Sequence, residues 1–424
     1  MIIHTVHPNE TINSIAESYG ISAEKLAIDN QITDPNRLIV GQSLLVLFPE
    51  ETYQVMDGDN LADIAASYGI PMMQLLRNNP QLFDRKYIYP GENLIVSLTD
   101  EKIMEISTNG YAFPFIDISL LQKTLPYLTY LTIFYYRITM DGGIVDINDQ
   151  ELINTARGYG VAPIMLISTL TDTKKPDVKA THNILTNTEV QENLINRVLE
   201  NIKAKDYYGL NIDIQNILQE DKQLFIDFIA NISNRVRQAG YPVFITLTPN
   251  TFPTETGDLY RGPEYTVLGQ LVDSVMLLSY QWGNVSSPQP ALPIEEVRDL
   301  LDYSITQLPP EKINIGIPVI GYIWQLPFIA GSTVANAISH NSAHILAMDV
   351  GAEIQRDLAS QAPYFTYITD KEYIVWFRDV RSVGALLELV VEYGIEGIGT
   401  WNIMQFSSGL WLLINASFDI KKVL

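Results

Sequence analysis

The sequence predicts an α/β protein in which two small βααβ modules precede a closed (β/α)8 barrel carrying a small α+β insertion. Three observations predict it: an internal repeat up to about residue 99, eight short apolar runs alternating with longer amphipathic stretches beyond residue 103, and a length of 424 residues. At roughly 150 residues per domain, that length calls for two or three units. With 47% hydrophobic and 18% charged residues, the composition suits a large core.

The repeat comes first along the chain. The segment HTVHPNETINSIAESYGISAEKLAIDNQI from His4, closed by RLIVGQSLLV, aligns with YQVMDGDNLADIAASYGIPMMQLLRNNPQL from Tyr53, closed by YIYPGENLIV. Val6 and Val55, Tyr19 and Tyr68, and Asn30 and Asn79 are each 49 positions apart, and Gly41 and Gly91 are 50 apart. Each copy begins with a β run and a polar turn (PNET, DGDN). Apolar positions at helical spacing follow, such as Ile12, Ile15, Ala16 and Tyr19. Gly20 and Gly69 stand where a helix C-cap is expected, and Pro71 is placed to open the next helix. A glycine-led strand closes the unit. The pattern resembles the LysM module, which implies binding of the N-acetyl groups of chitin or peptidoglycan along a shallow groove. The modules are expected at 1–49 and 50–99, a generic βααβ unit being the plain alternative.

From about residue 103 the runs ISTNGYAF, YLTIFYY, APIMLIST, YGLNIDI, VFITLTP, SVMLLSY, INIGIP and GIGTWNI alternate with helical segments, as βα repeats around a parallel sheet do. Eight such strands suit a closed TIM-type barrel over 103–424. In that architecture the chemistry gathers at the C-terminal strand ends. Between the seventh and eighth runs, PYFTYITDKEYIVWFRD reads as a hairpin, so a small α+β insertion is expected around 325–380.

Charge and composition exclude several functions. The chain has 27 Lys and Arg against 49 Asp and Glu, a formal charge of -22, which repels nucleic acid and anionic membrane surfaces. Glycan binding would therefore rest on aromatic and amide groups. There is no cysteine, so disulfides, thiolate metal sites and a Cys nucleophile are excluded together. Among the five histidines, His340 and His344 have i, i+4 spacing but no acidic third ligand, so a polar helix face is expected and no metal or cofactor. The N-terminus MIIHTVHPNE lacks signal-peptide features, and no apolar run is long enough to span a membrane. Cytoplasmic synthesis is expected, with spore or cell-wall association following release from a sporulating mother cell.

The candidate site begins with YYGLNIDIQNI, residues 207–217. It resembles the fourth-strand motif Asp-Gly-x-Asp-x-Asp-x-Glu of family 18 glycoside hydrolases. TNGYAFPFI near Asn109, SYQWG near Tyr280, IGYIWQLP near Tyr322, VWFRDVRS near Trp376 and Trp401 are similar to the spore-germination branch of that family, which joins tandem LysM modules to an N-acetylglucosaminidase barrel. The resemblance implies substrate-assisted retaining hydrolysis. The sugar's N-acetyl oxygen attacks the anomeric carbon, an Asp orients the acetamido nitrogen, and a Glu two residues later protonates the leaving oxygen. Side chains at i and i+2 of a strand share a face, so both groups reach the barrel mouth.

Carried onto this chain, the resemblance assigns the orienting carboxylate to Asp213, the acid position to Gln215 and the acetamido hydrogen bond to Tyr280. Asn211 precedes them on the inward face. Trp401 is the sugar-stacking floor, and Tyr111, Tyr135, Gln281, Trp282 and Trp324 line the groove, while a lone aromatic such as Phe134 is expected in the core. Gln215 has no titrating proton to give. Carboxylates expected from the family are also replaced at Tyr208, Gln281, Ile323 and Arg378. This pattern favours natural divergence over a single engineered change. Glu220, Asp221 and Glu396 are the acids available as substitutes. The sequence therefore points to a protein that binds N-acetylglucosamine-containing peptidoglycan or chitin with little or no hydrolysis. An active cortex-lytic N-acetylglucosaminidase is the alternative, and a spore-surface scaffold is a weaker third.

Overall fold

The computed structural model describes residues 1–424 except 84, 86, 172, 174, 216, 249–258, 261–263, 279–286 and 291. In the first module Ile2–Thr5 pairs antiparallel with Ser43–Val46. Helix Ile12–Tyr19 starts at Thr11, whose hydroxyl accepts from the backbone N–H of Ser14, and stops at Gly20 with φ +66°. The second module repeats the plan with strands Pro49–Gln54 and Asn93–Leu98 and helices Leu61–Ser67 and Met72–Asn78, Pro71 standing just ahead of the latter. Each module has a core of its own: Val6, Ile12, Ile15 and Leu26 in one, Val55, Ile64 and Leu75 in the other.

All eight expected runs form strands: β1 Met104–Ala112, β2 Tyr130–Arg137, β3 Ala162–Ser168, β4 Gly209–Asp213, β5 Val243–Leu247, β6 Ser274–Leu277, β7 Ile313–Pro318 and β8 Gly397–Trp401. They pair in parallel in chain order, and β8 returns to β1 with Trp401 opposite Tyr111, which closes the barrel. The strands are buried on both sides, which is why they read as near-continuous apolar runs.

Between β7 and β8 the expected hairpin exists as Ala362–Ile368 paired with Glu372–Trp376. It is part of a larger antiparallel sheet of five strands, ordered 336–339, 320–326, 372–376, 362–368, 355–357, with helix His340–Val350 beside it. The first of these strands begins at Ile320 because IGYIWQL continues as β structure straight after β7.

The modules are docked onto the barrel. Leu44 and Val46 face the first module's own core, while Leu45 and Leu47 belong to the barrel's apolar cluster, so one strand serves two cores on its alternate faces. The Ser43 hydroxyl donates to Asp379 over 2.8 Å, and Arg381 donates to the Gly41 carbonyl over 3.0 Å. In the second module the buried Arg77 guanidinium donates to Asn415 and to the Pro126 carbonyl, each over 3.0 Å. Among the described residues, no helix is long and apolar enough to cross a membrane.

Candidate functional site

Strand β4 alternates strictly. Leu210 and Ile212 are fully buried in the apolar layer under the helices, while Asn211 and Asp213 belong to the polar set of the barrel interior. Asn211 donates to the Tyr111 hydroxyl over 3.3 Å and accepts from the Thr246 hydroxyl over 3.1 Å. Side chains of β1, β4 and β5 are thus tied together one layer below Asp213.

Asp213 closes this stack. It is 6% exposed, and burial raises its carboxyl pKa to about 6, the Gln215 hydrogen bond acting in the opposite sense. Gln215, half-buried just past the strand, donates from Nε2 to Asp213 Oδ1 over 2.7 Å. Burial also lifts the Tyr111 hydroxyl far above its ordinary value, so it remains a protonated, neutral hydrogen-bonding group.

An open cleft of about 280 Å³ lies over these groups, walled by Tyr111, Phe134, Leu166, Asp213, Gln215 and Trp401 among others. The Trp401 ring stands edge-on to Phe134 with centroids 4.7 Å apart and tilts against Tyr111 at 5.8 Å. Aromatic contacts therefore fix its plane. Chemically, the cleft combines a carboxylate that ionises near pH 6, a carboxamide, and an aromatic and aliphatic wall. Such a set orients a neutral ligand bearing an N–H and an apolar face. Gln215, an amide, has no titrating proton to give.

The structure brings Tyr111, Asn211, Asp213, Gln215 and Trp401 together. Tyr135 adjoins them, its ring 4.4 Å from Phe134 and its hydroxyl donating to the Thr171 carbonyl. Trp324 is fully buried, edge-on to Phe328 at 5.7 Å. Tyr280, Gln281 and Trp282 lie outside the described residues. Phe134 is both core and cleft wall. Thr246 and Leu166 also line the cleft, and the only signal for them in the sequence is their place on a barrel strand.

None of the substitute acids lines the cleft. Glu396 enters β8 at its far end and pairs with Lys421 at 2.9 Å. Asp221 is buried and meets His182 Nδ1 at 2.7 Å. Glu220 lies with them: the ligand atoms of His182, Glu220 and Asp221 fall within 4.8 Å of one another, as do those of His4, His7 and Glu10. These are the groups of metal-ligating type among the described residues. His340 and His344 do share a helix, but they do not sit on a polar surface. Burial lowers the pKa of both imidazoles, that of His340 to about 3, and the rings pack edge-on to Phe377.

The model of the glycosyl hydrolases family 18 matches residues 124–405, and the LysM domain model matches residues 4–46 and 53–97. This chain belongs to glycosyl hydrolase family 18. Within the family it is 32% identical over 431 residues to the putative sporulation-specific glycosylase YdhD of Bacillus subtilis (strain 168), covering 100% of both chains. It is 30% identical over 433 residues to the cortical fragment-lytic enzyme of the same organism, covering 100% of this chain and 99% of that one. The crystal structure of the Bacillus megaterium QM B1551 spore cortex-lytic enzyme SleL superposes with a TM-score of 0.83 at 27% identity, covering 100% and 99% of the two chains. The family match spans β2 to β8, so it includes Asp213, Gln215 and Trp401, with Tyr111 just ahead of it on β1.

Proposed function

We propose that this family 18 chain binds N-acetylglucosamine-containing wall glycan, peptidoglycan or spore cortex with chitin as an analogue, through its LysM modules and barrel cleft, and that it cleaves that glycan weakly or not at all. The observation carrying this reading is Gln215, an amide in hydrogen-bond contact with Asp213 at the mouth of β4. In the family's chemistry the group two residues past the orienting Asp gives a proton to the leaving oxygen, and an amide has none to give near neutral pH. Loss of a general acid costs about 10²–10⁴-fold in rate. Asp213, ionised above about pH 6, still accepts the acetamido N–H, and the Trp401 ring supplies the stacking surface. Natural divergence of the site fits this reading better than a single engineered change.

A second reading, an active cortex-lytic N-acetylglucosaminidase, is favoured by the relatives named for lytic activity at 30% identity over essentially the full chain. Incubation with cortex muropeptides separates the two. Binding without released reducing ends supports the first reading, and strong turnover by the unmodified protein overturns it. Either way the glycan places the protein at a spore or cell wall, not with nucleic acid or inserted in a membrane.

A further inference from the structure

We infer that the junction between the first LysM module, the inserted sheet and the barrel forms a second saccharide site, holding one neutral acetylated sugar unit in a pocket separate from the barrel cleft. The pocket measures about 220 Å³ and is lined from three parts of the chain: Gln31 and Ile39 of the module, His344 of helix His340–Val350, and Asp379 and Ser408 at the starts of two barrel helices. A single water needs about 10–15 Å³ and drug-sized ligands about 300–1,000 Å³, so the space suits one sugar ring.

Two buried polar atoms among its lining residues lack a partner: His344 Nε2 and the hydroxyl of Ser408, a residue 2% exposed. Buried polar atoms are rarely left so, and the exceptions call for an explanation. His344 Nδ1 lies 3.2 Å from the His340 carbonyl. A carbonyl only accepts, so Nδ1 carries the proton and Nε2 is a bare acceptor awaiting a donor. Ser408 both donates and accepts. The complementary ligand presents O–H or N–H groups together with oxygen acceptors.

Charge defines the class further. Burial keeps both imidazoles neutral. Asp379 is already engaged by the Arg381 guanidinium at 2.7 Å and by Ser43. The buried polar groups therefore present no uncommitted charge, the lining's Asp34 and Arg37 carry opposite signs, with Arg37 also 3.9 Å from Asp349, and Ile39, Val380 and Met348 add an apolar wall. A neutral molecule with hydroxyl or amide donors and one apolar face fits, which is the chemistry of an acetylated pyranose. The choice of sugar rests on the glycan proposed above; the vacant hydrogen-bonding atoms do not.

Titrating N-acetylglucosamine alone into full-length protein carrying ¹⁵N-labelled histidine tests this, the chain having five histidines. The expected result is a saturable shift of the His344 Nε2 resonance in wild type and equally in Trp401→Ala, which disables only the cleft. Ser408→Ala should weaken that response about five-fold, the usual worth of one hydrogen bond. If the His344 resonance stays still at high sugar concentration, the pocket holds only water and the inference falls, whatever the tryptophan fluorescence shows at the cleft. A moving His344 with a silent cleft keeps this site and instead defeats the proposed cleft function. Should Ser408→Ala unfold, the comparison of wild type with Trp401→Ala still decides.

Discussion

The Gln215 side-chain amide donates to a carboxylate oxygen of Asp213 across 2.7 Å. The donated proton belongs to an amide, so the contact stabilises the ionised carboxylate and transfers nothing. Replacing the amide by a carboxyl changes that. In Gln215→Glu two carboxyl groups meet at hydrogen-bond distance, both cannot ionise, and one proton is held to higher pH. The variant is expected to release reducing ends from cortex muropeptides about 10²–10⁴-fold faster than wild type. An unchanged rate shows that something other than the acid limits turnover.

Asp213 also gives a stability signature. Its pKa rises by burial from 3.8 to about 6. Between those values the folded chain keeps a proton that the unfolded chain has lost, so stability falls as pH rises from about 4 to about 6 and then levels off. A shift of about two pKa units corresponds to about 3 kcal/mol. Asp213→Asn is expected to flatten this slope and to raise stability at pH 7 by up to that amount. Urea unfolding at several pH values measures it, and parallel slopes for the two proteins contradict the assignment.

The barrel was legible because each strand is buried on both faces and so appears as an unbroken apolar run, as in YLTIFYY and APIMLIS. The modules were legible because Val6, Tyr19 and Asn30 recur as Val55, Tyr68 and Asn79. At the site, Asp213 and Trp401 stood out by motif. Thr246 and Leu166 did not, since a threonine or leucine on a barrel strand carries no local mark of whether it meets ligand or packing. The inserted sheet was only half visible: Asn336–Ser339 and Gln355–Asp357 are short, polar edge strands with little apolar alternation. Docking was invisible. Ser43 and Asp379 lie 336 positions apart, and the serine's role depends on where the fold brings the carboxylate.

Trp401 should separate binding from folding. Its ring is held by Phe134, Tyr111 and Phe113, with centroids 4.7, 5.8 and 6.0 Å away. Trp401→Ala removes the stacking face and should weaken binding of an N-acetylglucosamine oligomer to residues 103–424 of the intact chain at least ten-fold, with a stability cost of about 1–3 kcal/mol for lost packing. Trp401→Phe keeps a smaller ring and should recover most of the stability but only part of the affinity. Calorimetric titration with the oligomer, to which the LysM modules contribute equally in all three proteins, measures the affinity, and urea unfolding measures the stability; equal affinity in all three proteins would remove Trp401 from the site.

Gly41 and Gly91 occupy matching places in the two modules, with φ of +85° and +92°, yet only one of them touches the rest of the chain. A Cβ on Gly41 would lie 1.8 Å from the Ile354 carbonyl oxygen, a backbone atom just ahead of the inserted sheet's strand 355–357, whereas a Cβ on Gly91 meets nothing within 4 Å. Both positions carry the strain of an L side chain at positive φ, about 1–2 kcal/mol. Gly41→Ala adds a clash that backbone cannot relieve by rotating a side chain. It would also strain the neighbouring Ile354 N–H to Val40 carbonyl bond, now 2.9 Å. Gly91→Ala is therefore expected to cost about 1–2 kcal/mol, and Gly41→Ala distinctly more, with earlier proteolysis between the first module and the barrel. Urea unfolding and limited proteolysis of the pair provide the comparison. If the two variants lose the same stability, the first module is not held by its approach to Ile354, and its docking rests on its other contacts, such as Leu45 and Leu47 in the barrel's apolar cluster and the Ser43 hydroxyl on Asp379.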